Sequence, residues 1–415
     1  MASTAGSITG PILYAHRWPA LWAAMLGFML DAMDVMLLVF ALASLRQEFH
    51  LTNAQAGLIG AATLLTSAAG GIGAGFFSDR FGRARTLILT VLIYSIASAG
   101  TATSHSLFQL MIWRGLVGIG LGGEWSAGAT LVSESWPPET RGRAIGFMQA
   151  GWAIGYMLAA LAAGFILPIY GWRALFLVGL TPALLTLWIR RAVPEPEVWL
   201  RRPRVRLRDA LSRGLISRTA RATITACVVL FAYWGLFTWL PGFLGGPITQ
   251  GGAGLSIVKT ARFVFLSQAG AWCGYVAFGF LSDRFGRRIS FAAYVIIVAA
   301  LVPIYGTVPL WAGTHQELWL QLLAPPIGFF GTGFFSLFGS MLAELYPTSV
   351  RGAGQGFTYN VGRASAALAP YTIGLLADRY GYGAALMLTS LFFLLGAGLI
   401  FSLPETKERR LEEAA

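Results

Sequence analysis

Charge is what this sequence has least of. Asp, Glu, Lys and Arg together make up 12% of its 415 residues, about half the roughly 25% of a soluble domain. So few charges cannot cover a water-soluble surface of that size. Apolar residues reach 56%, with 51 glycines outside that figure, so a bilayer must solvate much of the chain. Cysteine is nearly absent. Cys227 and Cys273 both lie in apolar stretches, which excludes a disulfide framework and reads as two small buried hydrophobes. The four histidines, His16, His50, His105 and His315, stand near loops or termini without metal-ligand spacing, so no metal is expected. There is no Gly-x-x-x-x-Gly-Lys-Ser/Thr loop for a nucleotide phosphate, and no nucleophile–base constellation. ATP is therefore not the expected energy source, no cofactor is expected, and the chain does not read as an enzyme. Residues 1–14 lack a basic n-region and the next apolar stretch is too long for an h-region, so no cleavable signal peptide is expected.

What is present is a series of long apolar runs. In the first half they cover 18–45, 56–77, 87–102, 107–132, 146–169 and 174–189. In the second they cover 222–244, 263–281, 291–308, 318–342, 352–376 and 384–403. Most reach the roughly 20 residues that span a hydrocarbon core. The expected fold is an all-α membrane protein of about twelve transmembrane helices. The net charge of +12 does not imply nucleic acid, because the basic residues are sorted by side rather than gathered on one face. With a cytoplasmic N-terminus, Arg17, Arg80, Arg85, Arg143, Arg288 and the central loop fall on one side. The other side holds little beyond Arg46, Arg173, Lys259, Arg262 and Arg379. This positive-inside asymmetry puts both termini in the cytoplasm. Arginine far outnumbers lysine, which hints at a GC-rich bacterial genome and hence a bacterial inner membrane.

The chain also repeats itself. Phe77-Ser-Asp-Arg-Phe-Gly-Arg83 returns as Leu281-Ser-Asp-Arg-Phe-Gly-Arg287. Glu134-Ser-Trp-Pro-Pro-Glu-Thr-Arg-Gly142 returns as Glu344-Leu-Tyr-Pro-Thr-Ser-Val-Arg-Gly352. Both repeats occur in the same order at predicted cytoplasmic loops, so two six-helix halves are parallel repeats. The expected organisation is an N-terminal half over 1–189, an Arg-rich cytoplasmic linker over 190–221 and a C-terminal half over 222–415. The linker carries ten arginines, three prolines and three acids. It reads as a segment lying on anionic headgroups, and equally as a solvated loop that obeys the positive-inside rule.

These motifs resemble the major facilitator superfamily. Its loop pattern Gly-x-x-x-Asp-Arg-x-Gly-Arg is matched by Gly75, Asp79, Arg80, Gly82 and Arg83, and again by Gly279, Asp283, Arg284, Gly286 and Arg287. The fourth span carries a family-like Arg-x-x-x-Gly-x-Gly-x-Gly from Arg114 to Gly122, and Pro404-Glu-Thr-Lys407 follows the last span. Asp31-Ala-Met-Asp34 and the stretch 122–128 are similar to the metabolite:proton symporter branch, which imports aromatic acids, sialate and other carboxylates. The resemblance implies alternating access around a midplane site. It also implies a gating interface that includes Asp79, Arg80 and Arg83, Asp283, Arg284 and Arg287, Glu134 and Arg141, and Glu344 and Arg351. The same residues would also serve as charged interfacial turns.

Five ionisable residues fall inside predicted spans: Asp31, Asp34, Arg114, Glu124 and Arg363. Each is costly there, by at least ~2.5–3.5 kcal/mol at a helix centre, and is a functional suspect by default. Asp31 and Asp34 are three residues apart on one helix face, and two neighbouring carboxylates resist double ionisation. With Arg114 and Glu124 they are the candidate proton-coupling group, or a structural ion-pair set. Arg363, with Tyr359 and Asn360 one turn before it, is the candidate carboxylate binder, because a planar guanidinium suits bidentate recognition. A salt bridge to the other half is the alternative. Gln149, Trp152, Tyr233 and Trp234 are candidates to complete the site, as are Gln268 and Trp272, although membrane aromatics often serve as packing or anchors. The expected partners are a small anionic substrate, protons and the lipid bilayer, with no nucleic acid, and the chain acting as a monomer. The leading reading is a proton-coupled symporter importing a small organic anion, a mono- or aromatic carboxylate. The alternatives are a proton-coupled exporter, disfavoured by the lack of a Gly-Pro motif in the fifth span, and a non-transporting sensor, disfavoured by the lack of a soluble output domain.

Overall fold

The computed structural model describes residues 16–136, 138–195, 215–346 and 351–406, and all of their secondary structure is helical. Fourteen α-helices follow one another: α1 Arg17–Phe49, α2 Asn53–Phe81, α3 Arg83–Thr101, α4 Leu107–Ser135, α5 Pro138–Val178, α6 Pro182–Ala192, α7 Ile216–Gly245, α8 Ile257–Phe285, α9 Arg287–Trp311, α10 Gln316–Thr332, α11 Phe335–Leu345, α12 Arg351–Ala366, α13 Leu368–Tyr380 and α14 Tyr382–Leu399. They form twelve spans in two repeated six-helix domains. Nine described stretches are long and apolar enough to cross a membrane. One of them, residues 144–192, supplies two spans because the chain turns at Gly171, whose φ of 73° only glycine adopts cheaply. Helix α4 and the α12–α13 pair complete the set.

Several spans read as continuous from the sequence are broken, and each break has a local cause. The sixth passes through i→i+3 bonds at Gly179, Leu180 and Thr181 before Pro182 opens α6. The tenth divides at Gly333 and Phe334. The eleventh divides at Ala367, just before Pro370, which has no N–H to give the preceding turn.

Helix ends are set by side chains. Thr52 and Gln55 form a reciprocal capping box at the start of α2, with bonds of 3.1 and 2.9 Å. Helices α3 and α9 start at Gly82 and Gly286, which offer no capping side chain. A distant glutamate caps each. Glu195 accepts from the backbone N–H groups of Arg83 and Arg85 at 2.6 and 3.1 Å. Glu405 accepts from those of Arg287 and Arg288 at 3.0 and 3.1 Å. Each anion sits at the positive end of a helix dipole.

The outer surface of the bundle is apolar, as lipid contact requires: Phe165, Phe280 and Leu310 are all more than 70% exposed. Cys273 is exposed on this surface and Cys227 is half-buried, correcting the expectation that both are buried. An apolar stretch does not itself say which face meets lipid. The two halves meet where α5 packs on α8, α2 on α12 and α13, and α1 on α7.

Candidate functional site

The glycine series of α4 places Arg114. A Cβ at Gly120 would stand 2.7 Å from the Thr90 carbonyl of α3, so only glycine lets the two backbones approach this closely. Arg114 is thereby held fully buried, and it lines a cavity between the halves. The opposite half contributes Trp234 and Thr238 from α7 and Arg363 from α12. The cavity measures about 20 Å³, room for about one water and not for an organic acid. Entry of anything larger requires the halves to part.

Asp34 is fully committed. Its Oδ2 lies 3.3 Å from Arg114 Nη1, with both side chains at 0% exposure. Its Oδ1 accepts the Ser98 hydroxyl of α3. Gly179 closes over this pair, and a Cβ there would stand 2.6 Å from Asp34 Oδ1. The guanidinium of Arg114 lies 5.8 Å from the Phe176 ring.

Asp31, Glu124 and Arg363 are different. Asp31 and Glu124 are fully buried, and none of their four carboxyl oxygens has a hydrogen-bond partner. The carboxyl of Glu124 rests against Gly27, one turn before Asp31 on α1, so both acids occupy one α1–α4 seam. Arg363 is 3% exposed, its Nε is unpaired, and it forms no ion pair with a described carboxylate.

The remaining candidates mostly tie the halves together. Trp125 of α4 stacks on Tyr359 of α12 at 4.5 Å and donates to Gln149 Oε1 at 3.1 Å. Trp152 of α5 donates to the Tyr233 hydroxyl of α7 at 2.7 Å. Trp234 meets Trp152 edge-on at 5.9 Å and lines the cavity. Asn360 spends its amide on the Gly356 carbonyl of its own helix at 2.9 Å. Gln268 is buried without a partner, while Trp272 faces outward, 42% exposed. The structure therefore brings Arg114, Arg363 and Trp234 to one cavity, and leaves Tyr359, Asn360, Gln149, Trp152 and Tyr233 outside its lining.

The sequence profile of the Major Facilitator Superfamily matches residues 24–301 and 248–415. The chain belongs to this superfamily. It is a transporter and not an enzyme. A cis,cis-muconate transport protein of Acinetobacter baylyi is 31% identical, over 88% of this chain and 89% of the relative. A niacin transporter of the same organism is 29% identical, over 95% and 96%. Both relatives fit the branch that Asp31-Ala-Met-Asp34 resembles. The crystal structure of a D-xylose–proton symporter superimposes with a TM-score of 0.77 at 20% identity, over 95% of this chain and 100% of that one, which shows the shared fold.

The superfamily's loop motif has a compact geometry here. Gly82 and Gly286 turn with φ of 112° and 95°. Arg80 and Arg284 each lie 5.4 Å from the ring of the next residue, Phe81 or Phe285. Arg83 and Arg287 bind Ser78 and Ser282 of the preceding helix at 3.2 and 2.6 Å. The side chains of Asp79, Asp283, Glu134, Arg141, Glu344 and Arg351 lie outside the described ones.

Two features of this structure were missed in the sequence, though each left a trace there. Pro194-Glu195 and Pro404-Glu405, the capping pairs, are 210 residues apart, the offset of the second repeat. Asp378-Arg379-Tyr380-Gly381 is a third Asp-Arg-aromatic-Gly turn. Its glycine has φ of 86° and its arginine lies 5.5 Å from the Tyr380 ring. It stands at the opposite end of the bundle. There Asp378 accepts from the N–H groups of Asn53 and Ala54, at 3.0 and 2.9 Å, and so caps α2 of the other half. Tyr382 donates to Asn53 Oδ1 at 2.8 Å and accepts from Arg46. The halves are latched at this end.

Proposed function

We propose that the chain is a proton-coupled symporter that imports a small organic anion, a mono- or aromatic carboxylate, across a bacterial inner membrane. The observation that carries this reading is the pair of guanidiniums on one cavity. Arg114 is neutralised by Asp34, whereas Arg363 forms no ion pair with any described carboxylate. A buried positive charge facing a cavity between two halves calls for an anionic ligand. A carboxylate presents two acceptors matched to the guanidinium fork. The relatives' named substrates both offer a carboxylate to such a site: niacin is an aromatic monocarboxylate and cis,cis-muconate an aliphatic dicarboxylate. The buried carboxyls of Asp31 and Glu124, which have no hydrogen-bond partner, give protons a place to bind, and the closed cavity fits a cycle in which the halves rock apart alternately at each end. The termini and the 190–221 linker lie in the cytoplasm, so the Asp378 latch faces outward. On this reading the chain works as a monomer.

The test is uptake into liposomes that hold the purified protein, with radiolabelled nicotinate and cis,cis-muconate as probes and an inward proton gradient as the driving force. Accumulation above equilibrium that collapses with a protonophore is the expected result. Arg363→Lys should weaken binding and Arg363→Ala should weaken it further, both without loss of expression. Unchanged affinity in Arg363→Ala would remove this residue from the site.

A further inference from the structure

We infer that Asp31 and Glu124 form the proton-carrying acid pair, which keeps one proton at rest and takes a second as a substrate carboxylate claims Arg363, while Asp34 carries none. This deepens the reading of coupled carboxylate transport and rests on it, but its test does not.

The division of labour among the acids follows from their partners. Asp34 has a guanidinium on one oxygen and a hydroxyl on the other, under the close cover of Gly179. Protonating it would strand the Arg114 charge, since Arg114 Nε and Nη2 have no other partner. Asp31 and Glu124 have nothing to lose in that way, because all four oxygens are buried and unbonded. The contact of Glu124 with Gly27 places its carboxyl one turn along α1 from Asp31. Two carboxylates that share one buried seam resist double ionisation, so one proton stays with the pair.

The ionisable groups packed around the seam are Asp34, three residues along α1; Arg114 of α4, bonded to Asp34; Tyr94 of α3, against Gly120; and, from α12, Tyr359, stacked on Trp125 beside Glu124, and Arg363, on the cavity that Leu121 also lines. Tyr94 is buried with an unbonded hydroxyl. Arg114 is committed to Asp34, so Arg363 is the one cation of this set that the pair can draw on. With one proton on the pair, its remaining negative charge balances Arg363, and Asp34 balances Arg114. An incoming carboxylate competes for Arg363. A second proton on the pair removes that competition and keeps the buried charge balanced. Release on the far side reverses both steps: the carboxylate leaves, the proton goes to water, and the pair regains Arg363. One extra proton therefore moves with each monocarboxylate.

The test is pH-difference infrared spectroscopy of the purified full chain in lipid, without substrate. Wild type should show a protonated-carboxyl band that titrates. The Asp31→Asn/Glu124→Gln double variant should lose it. Each single variant should shift its midpoint, because each removes one member of a coupled pair. Asp34→Asn should keep the band. Should that variant fail to fold, Ser98→Ala serves instead: it removes the hydroxyl bond to Asp34 and should leave the midpoint in place. The inference fails on any of four results: no titrating band in wild type, a band that survives in the double variant, single variants with the wild-type midpoint, or a band lost in Asp34→Asn or shifted in Ser98→Ala. Because no transported ligand is involved, these outcomes stand apart from success or failure of the uptake assay.

Discussion

Asp34→Asn should be among the most destabilising conservative substitutions in this chain. The asparagine keeps the shape and the Ser98 bond, and removes only the charge. At 3.3 Å and an effective dielectric of about 20, the lost attraction to Arg114 is about 5 kcal/mol. Breaking a buried pair by removing one partner typically costs ~3–5 kcal/mol. Arg114 cannot shed its proton, so the cost cannot be avoided. The converse change, Arg114→Met, should cost less, because Asp34 can then neutralise itself by binding a proton. That folded form holds a proton which the unfolded chain lacks at neutral pH, so the stability of Arg114→Met should rise as pH falls. The double variant Asp34→Asn/Arg114→Met should recover at least half of the loss seen in Asp34→Asn. Equilibrium unfolding in mixed micelles at several pH values measures all three. If the two single losses add to within about 0.5 kcal/mol in the double variant, the residues are not coupled and the assignment of Asp34 as a structural partner collapses.

Asp378→Ala removes two charge-assisted bonds and a helix-dipole contact at the start of α2, worth about 1–2 kcal/mol together. Forms open at that end should become roughly 5–30-fold more populated. This would be read as faster labelling of a cysteine placed at Thr63, on the cavity wall, by a membrane-impermeant reagent added from outside; an unchanged rate would show that the latch holds nothing. Gly179→Ala places a methyl group 2.6 Å from Asp34 Oδ1 and should lower the melting temperature by several degrees, whereas Gly146→Ala meets nothing within 4 Å and should not. Equal melting of the two would mean that the sixth span does not seal the Asp34 pair.

The order of the helices, the two-domain repeat and the five buried ionisable residues were legible in the sequence. Each rests on a one-dimensional signal. Hydropathy counts residues along the chain, a repeat is a similarity at fixed offset, and a charge inside an apolar run is conspicuous wherever it points. Partnership is not written that way. Asp31 and Asp34 are equivalent on paper, three residues apart on one helix. Only the packing of α3, α4 and the sixth span around Asp34 separates a fully bonded carboxylate from a bare one. Glu124 joins Asp31 because Gly27 leaves room for its carboxyl, a contact across 97 residues. Tyr359, Trp152 and Tyr233 look like ligands for a substrate and instead meet aromatic partners across the domain boundary, since a ring's neighbours depend on how two helices cross. The capping glutamates Glu195 and Glu405 show both sides of the matter. Their spacing was in the sequence, but that a carboxylate more than a hundred residues away would supply the cap that Gly82 and Gly286 lack was decided by the tertiary fold, because only it brings the end of each half back to the start of its third span.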